Sequence, residues 1–259
     1  MGEKNQRLTR FFAEHPKCCF CAGERPATTE DHQPGRVFFQ DREWPEGFSF
    51  PACEECNAIS RESERLVAVL VHGHSGDEDR TKYRKNLRSV SRDYPGEIRK
   101  LITTKREKRD ILKVKGLGRP RGAALEDLPI IKMRKAFWEP HFRMLSRKLL
   151  LAFHYQCFAR PLPRHGAIWY YIHTNADLAA GEYPAEILEI ANRLTTPVRN
   201  RRMLHDQFLI RWNVVEDHSG AVFLTQLQKV LTITGITTEV PEAFEKNRPG
   251  EALRPFGPW

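Results

Sequence analysis

Four of the six cysteines fall into two pairs of identical spacing, Cys18-Cys19-Phe20-Cys21 and Cys53-Glu54-Glu55-Cys56, with 31 residues between them. Thiolates are good Zn²⁺ ligands, and two-residue spacing lets both sulfurs of one turn reach the same ion. Cys18, Cys21, Cys53 and Cys56 can therefore close a tetrahedral structural zinc site. Cys19 could take the place of Cys18, and spacing alone leaves that choice open. An Asp31-His32 dipeptide lies between the pairs, and Asn57 follows the last cysteine directly. Zinc would draw the segment after Cys56 against the segment before Cys21, gathering Asp31, His32 and Asn57 around a second metal. A histidine titrating near neutrality can take a proton from water. Carboxylate and amide oxygens suit a hard ion such as Mg²⁺ or Mn²⁺. An activated water beside a charge-neutralising cation is what hydrolysis of a phosphodiester needs.

The elements that must position these groups are short. Pro26, Pro34, Pro45 and Pro51 exclude a long helix across the first zinc-framed stretch. Val37-Phe38-Phe39 and Phe48-Ser49-Phe50 read as strands flanking the turn Trp44-Pro45-Glu46-Gly47, giving a β-hairpin with a long loop. After Pro51 the pattern becomes helical, with Ile59, Leu66, Val67, Leu70 and Val71 on one buried face and Gly73 as the stop. His32 is the only histidine inside the zinc-framed loop. His72 and His74 fall at the helix end and read as exposed or capping residues, and Cys157 reads as a core residue.

A zinc pair, Asp31-His32-Gln33-Pro34, then Pro51-Ala52-Cys53 to Cys56-Asn57 and a Ser/Arg/Glu-rich helix: this constellation resembles the HNH (ββα-metal) endonuclease family. The closer likeness is to its zinc-stabilised four-cysteine subgroup of bacteria and phages. The resemblance covers about residues 16–75. It implies Asp31 and Asn57 as ligands of a catalytic Mg²⁺ or Mn²⁺, His32 as general base, and products with a 5′-phosphate and a 3′-hydroxyl. Many family members carry a further Asn in the loop; here no Asn occurs from Gln33 through Cys56, so the group that orients His32 is open, a backbone carbonyl being one candidate. Arg143 to Lys148 and Arg160 to Pro163 are loosely similar to downstream segments of the same subgroup.

The chain of 259 residues carries a net charge of +9 and is 40% hydrophobic, enough for a real core. Residues 80–122 hold sixteen Lys and Arg against four acids, so the basic charge is concentrated there. That favours contact with an anionic polymer, duplex DNA first, through Lys105, Arg106, Lys108, Arg109, Arg119 and Arg121. Gly118-Arg119-Pro120-Arg121-Gly122 partly matches a minor-groove arm but lacks the full flanking basic pattern, and a plain Gly/Pro linker is the better reading. The polar start, the lack of a long apolar run and the paired cysteines point to a cytoplasmic protein with no membrane contact.

Beyond residue 128 an α+β mixture is expected. Leu145, Leu149, Leu150, Phe153 and Phe158 mark a core helix, and Pro184 to Leu194 an amphipathic one. Ile168 to His173, Phe208 to Val215, Ala221 to Leu227 and Val230 to Ile236 mark strands, with a hairpin turn at 217–220. The stretch beyond Pro241 reads as a disordered tail. The expected fold is α+β: a zinc-bound ββα-metal module over 1–79, a basic connector over 80–128, and a second α+β domain of open role over 129–259. The function expected is metal-dependent endonucleolytic cleavage of DNA. The alternative is a zinc-knuckle nucleic-acid-binding protein without catalysis, which would need the cysteines and the basic segment but not Asp31, His32 or Asn57.

Overall fold

Proline, glycine and the cysteine pairs keep the first elements short. The computed structural model describes residues 3–40, 44–74, 81–114, 131–175, 177, 180–181, 192–195, 207–217, 219–243 and 252–257, and within them the chain is α+β. Helix α1 (Glu3–Glu14) precedes the first cysteine pair. Strand β1 (Thr29–His32) pairs antiparallel with β2 (Ser49–Ala52), placing Asp31 opposite Phe50 and His32 opposite Ser49. Helices α2 (Glu54–Ala58) and α3 (Arg61–His74) follow at once.

The strand expected at Val37-Phe38-Phe39 is not one. Arg36–Phe38 forms a 3₁₀ turn, and β1 lies earlier, at Asp31-His32 itself. Phe38 and Phe39 are both fully buried, whereas consecutive strand residues point to opposite faces. The aromatic run fills a core and does not alternate. Ile59, placed on the buried helix face, is 50% exposed, because it falls in the break between α2 and α3. In α3, Leu66 to Val71 are all buried, so this helix is enclosed on nearly every side.

The basic stretch is helical where it is described: α4 (Thr81–Asp93), α5 (Pro95–Leu101) and α6 (Lys105–Val114). Helix α4 buries Tyr83, Asn86 and Val90 and packs on α3. Pro95 opens α5, where its missing N–H costs nothing. Thr104 opens α6 with a reciprocal cap: its Oγ1 accepts from Glu107 N–H (3.2 Å) and its own N–H donates to Glu107 Oε2 (2.8 Å). Arg119 and Arg121, and most of the helix expected at Pro184 to Leu194, lie outside the described residues.

Helix α7 (Lys135–Phe158) runs across a four-stranded antiparallel sheet of order β3-β6-β5-β4, with β3 at Ala167–Thr174, β4 at Phe208–Val214, β5 at Gly220–Leu227 and β6 at Leu231–Thr238. Gly235 permits the close approach: a Cβ there would stand 2.4 Å from Leu150 Cδ1. Gln228 and Lys229 turn β5 into β6 with φ of 50° and 56°, the left-handed geometry that suits a tight hairpin. The expected disordered tail is ordered over 252–257: Leu253 pairs with Ile168, and Phe256 N–H donates to Phe20 O (2.8 Å). Burial of Leu253 and Phe256 holds this stretch down. One hydrophobic core runs from the cysteine region through α3 and α7 to the sheet, with Phe48, Phe153 and Phe208 meeting between them. No helix of the described residues is long and apolar enough to cross a membrane.

Candidate functional site

Cys18 and Cys21 sit on a tight turn whose backbone goes left-handed at Ala22 and Gly23, and Cys18 Sγ accepts the N–H of Phe20 (3.4 Å). Cys53 caps α2 and Cys56 lies in its first turns. The four sulfurs lie within 4.8 Å of one another, and all four residues are buried. That is a donor set for one structural zinc. Hydrogen bonds from neighbouring thiols, Cys18 first and Cys56 next, lower the Cys21 pKa to about 3, while Cys56, the crowded donor, is pushed up. Cys21 is thus held as the thiolate, the form zinc needs, while its neighbours supply the protons that zinc would displace. Cys19 is the odd thiol: it is fully buried outside the set, its N–H tied to Pro51 O (2.9 Å), and burial pushes its pKa up.

Alternation along β1 separates the two halves of the Asp-His dipeptide. His32 shares its face with Ser49, whose Oγ lies 3.0 Å from Nδ1. On the other side of the ring, an Arg36 guanidinium nitrogen is 2.6 Å from Nε2. A guanidinium can only donate, so Nε2 is the acceptor and the single proton of the neutral ring is on Nδ1, donated to Ser49. Burial and then the Arg36 charge lower the His32 pKa to about 4, so the ring is neutral at pH 7. Trp44 packs at 5.0 Å from the imidazole and carries the Arg36 guanidinium over its ring at 3.7 Å. The orienting group left open by the sequence is a serine hydroxyl. Glu30, on the same face, is ion-paired with Arg7 of α1, which lowers its pKa.

Asp31 points the other way, into a closed polar pocket. Lys148 of α7, 1% exposed, places its Nζ 2.7 Å from Asp31 Oδ2, 2.7 Å from Ser60 Oγ, 3.3 Å from Asn57 O and 3.6 Å from Glu64 Oε1. Ser60 donates to Glu64 Oε1 (2.6 Å), and Gln33 Nε2 donates to both carboxylates (3.3 Å each). Burial pushes Asp31 up to about 6 against the pull of the Lys148 charge, and Glu64 adds to the rise. Lys148 is itself raised, because two carboxylates outweigh its desolvation. One ammonium thus stands between two carboxylates.

Asn57 turns its side chain elsewhere, donating from Nδ2 to Thr29 Oγ1 (3.0 Å). The structure therefore brings the four cysteines together but gives the side chains of Asp31, His32 and Asn57 three separate sets of partners, Asn57 sharing Lys148 with Asp31 only through its backbone carbonyl. Asp31 Oδ2 already faces a fixed cation, so these residues as arranged do not offer a divalent ion an open ligand set. His72 and His74 each meet a backbone carbonyl, of Val37 and Leu70. Lys105, Arg106 and Arg109 are exposed on α6, with Lys108 half-buried.

Arg36, Ser49, Trp44, Glu64 and Lys148 were missed as site residues. The signal for two of them was local. Glu64 lies one helical turn after Ser60, and Lys148 lies three residues after Leu145 and four before Ala152, on a buried stripe. A second group, Glu62, Glu97 and His141, lies within 4.8 Å on three helices, but Glu97 is bound by Lys100 (2.7 Å) and His141 Nδ1 meets Ser63 Oγ (3.1 Å). Comparison with family models, with curated proteins and with solved structures gives no match to this chain.

Proposed function

We propose that this protein is an HNH-type endonuclease that hydrolyses phosphodiester bonds in duplex DNA, with residues 16–75 as its ββα-metal-like module. The observation that carries the reading is His32: a neutral imidazole whose Nδ1–H is held by Ser49 and whose Nε2 lone pair faces a guanidinium. Arg36, exposed and resting on Trp44, is suited to bind a phosphate bidentately. Moving onto phosphate, it would release Nε2 and withdraw the positive charge that adds to burial in depressing His32, restoring part of its basicity. Nε2 then takes a proton from the attacking water, while Arg36 neutralises charge on the phosphoryl oxygens. The zinc-framed hairpin keeps β1 and β2, and so His32 and Ser49, in register. The basic faces of α4 and α6 supply non-specific affinity for the DNA backbone.

The family's Mg²⁺ or Mn²⁺ would neutralise charge on the phosphate and leaving oxygen, but Asp31, the ligand the resemblance implies, is paired with Lys148. That same pairing favours the second reading, a zinc-knuckle DNA-binding protein without catalysis. Incubation with supercoiled plasmid, with Mg²⁺, with Mn²⁺ and with chelator, separates the two. Nicking or linearisation that falls by about 10²–10⁴ in His32→Ala, with zinc content and DNA retention unchanged, supports the nuclease. DNA retention with no cleavage under any condition establishes the second reading, and full cleavage by His32→Ala refutes the assigned base.

A further inference from the structure

We infer that the acidic pocket behind β1 is a lysine site: Lys148, delivered by α7, is its resident cation, and Asp31 and Glu64 position that ammonium and bind no divalent ion. An ammonium has three protons and no acceptor. Here three oxygens meet them, Asp31 Oδ2, Ser60 Oγ and Asn57 O, and Glu64 Oε1 stands just behind at 3.6 Å. The groups around these oxygens are themselves hydrogen-bonded, since Ser60 hands its own proton to Glu64 and Gln33 braces both carboxylates.

Charge and rigidity both oppose a second cation. Adding a divalent ion would place three positive charges against two carboxylates in a pocket whose walls include Phe20, its ring 5.3 Å from Nζ. Repulsion between cations is strong where water is excluded. Lys148 cannot readily withdraw either. Its neighbours on α7, Leu145, Leu149 and Ala152, are fully buried, and Gly235 lets that helix lie directly on the sheet beneath.

The arrangement has a functional consequence. The two faces of β1 do different work: Asp31 fastens the zinc region to α7, and the groups open to an anionic substrate are Arg36 and His32 on the other face. Any divalent ion that assists cleavage would then enter with the substrate phosphate on that second face. Lys148 is accordingly a positioning residue.

Mn²⁺ binding tests this directly, independently of whether the protein cuts DNA. The zinc-loaded full chain is titrated with Mn²⁺, and bound ion is counted by electron paramagnetic resonance. Asp31→Asn is expected to bind no less Mn²⁺ than wild type. Lys148→Ala empties the pocket and leaves four oxygen donors, so it is expected to gain one Mn²⁺ site, lost again in Lys148→Ala/Asp31→Asn. Mn²⁺ bound by the wild type and lost in Asp31→Asn overturns the inference, as does a zinc-loaded, folded Lys148→Ala that gains no Mn²⁺. Should Lys148→Ala fail to fold, the comparison of wild type with Asp31→Asn decides.

Discussion

Replacing Lys148 with Met keeps the length of the side chain but removes the charge between Asp31 and Glu64. Both carboxylates remain in place, with Lys148 originally 1% exposed and Asp31 8% exposed. Removing one partner of a buried ion pair costs about 3–5 kcal/mol, because the other charge is left uncompensated. For a chain of this size that is a fall in Tm of roughly 6–20 °C, at about 2–4 °C per kcal/mol. The loss has a definite pH dependence. Asp31 is already raised to about 6 from an ordinary value of 3.8, by burial first. Without the ammonium it rises further. A carboxyl whose folded pKa exceeds its unfolded one binds the proton more tightly when folded, so the fold gains stability as pH falls through the folded value. The deficit of Lys148→Met relative to wild type is therefore largest near pH 8 and shrinks toward pH 6 as Asp31 protonates. Urea unfolding of the two zinc-loaded proteins at pH 8, 7 and 6 measures it. A deficit that grows on acidification, or is absent at pH 8, would refute the pocket's charge balance.

Cys53→Ser removes one of four sulfurs that lie within 4.8 Å, and elemental analysis should find zinc lost and the first 79 residues destabilised, since metal binding is coupled to folding. Alanine at Lys105, Arg106, Lys108 and Arg109 should weaken binding to all duplex sequences alike and flatten the log K against log salt slope by up to about four contacts, at about −0.9 each. An unchanged slope would make α6 a solvated helix. Gly235→Ala forces a methyl to 2.4 Å from Leu150 Cδ1, and thermal unfolding should register a loss of about 1–3 kcal/mol from overpacking.

Short-range spacing determined a good deal by itself. Two residues between paired cysteines suffice to aim both sulfurs at one point, so the thiol cluster was legible before any fold was known. Only closure of the chain chose Cys18 over Cys19, by sending the Cys19 thiol into the core. The strands at 208–214, 220–227 and 231–238 and the core helix through Leu145, Leu149 and Phe153 likewise follow from local patterns of burial and turn residues. Where burial is complete on both sides, periodicity carries no orientation: Phe38 and Phe39 look like a strand and form the end of a 3₁₀ turn. The partners of the polar groups were beyond local reach for a different reason. A side chain's hydrogen bonds depend on what packs opposite it, and Asp31 meets a lysine from the far half of the chain while His32, next in sequence, faces Ser49 and Arg36. Strand pleating sent adjacent residues to opposite faces, and only the tertiary packing of α7 put a cation behind one of them.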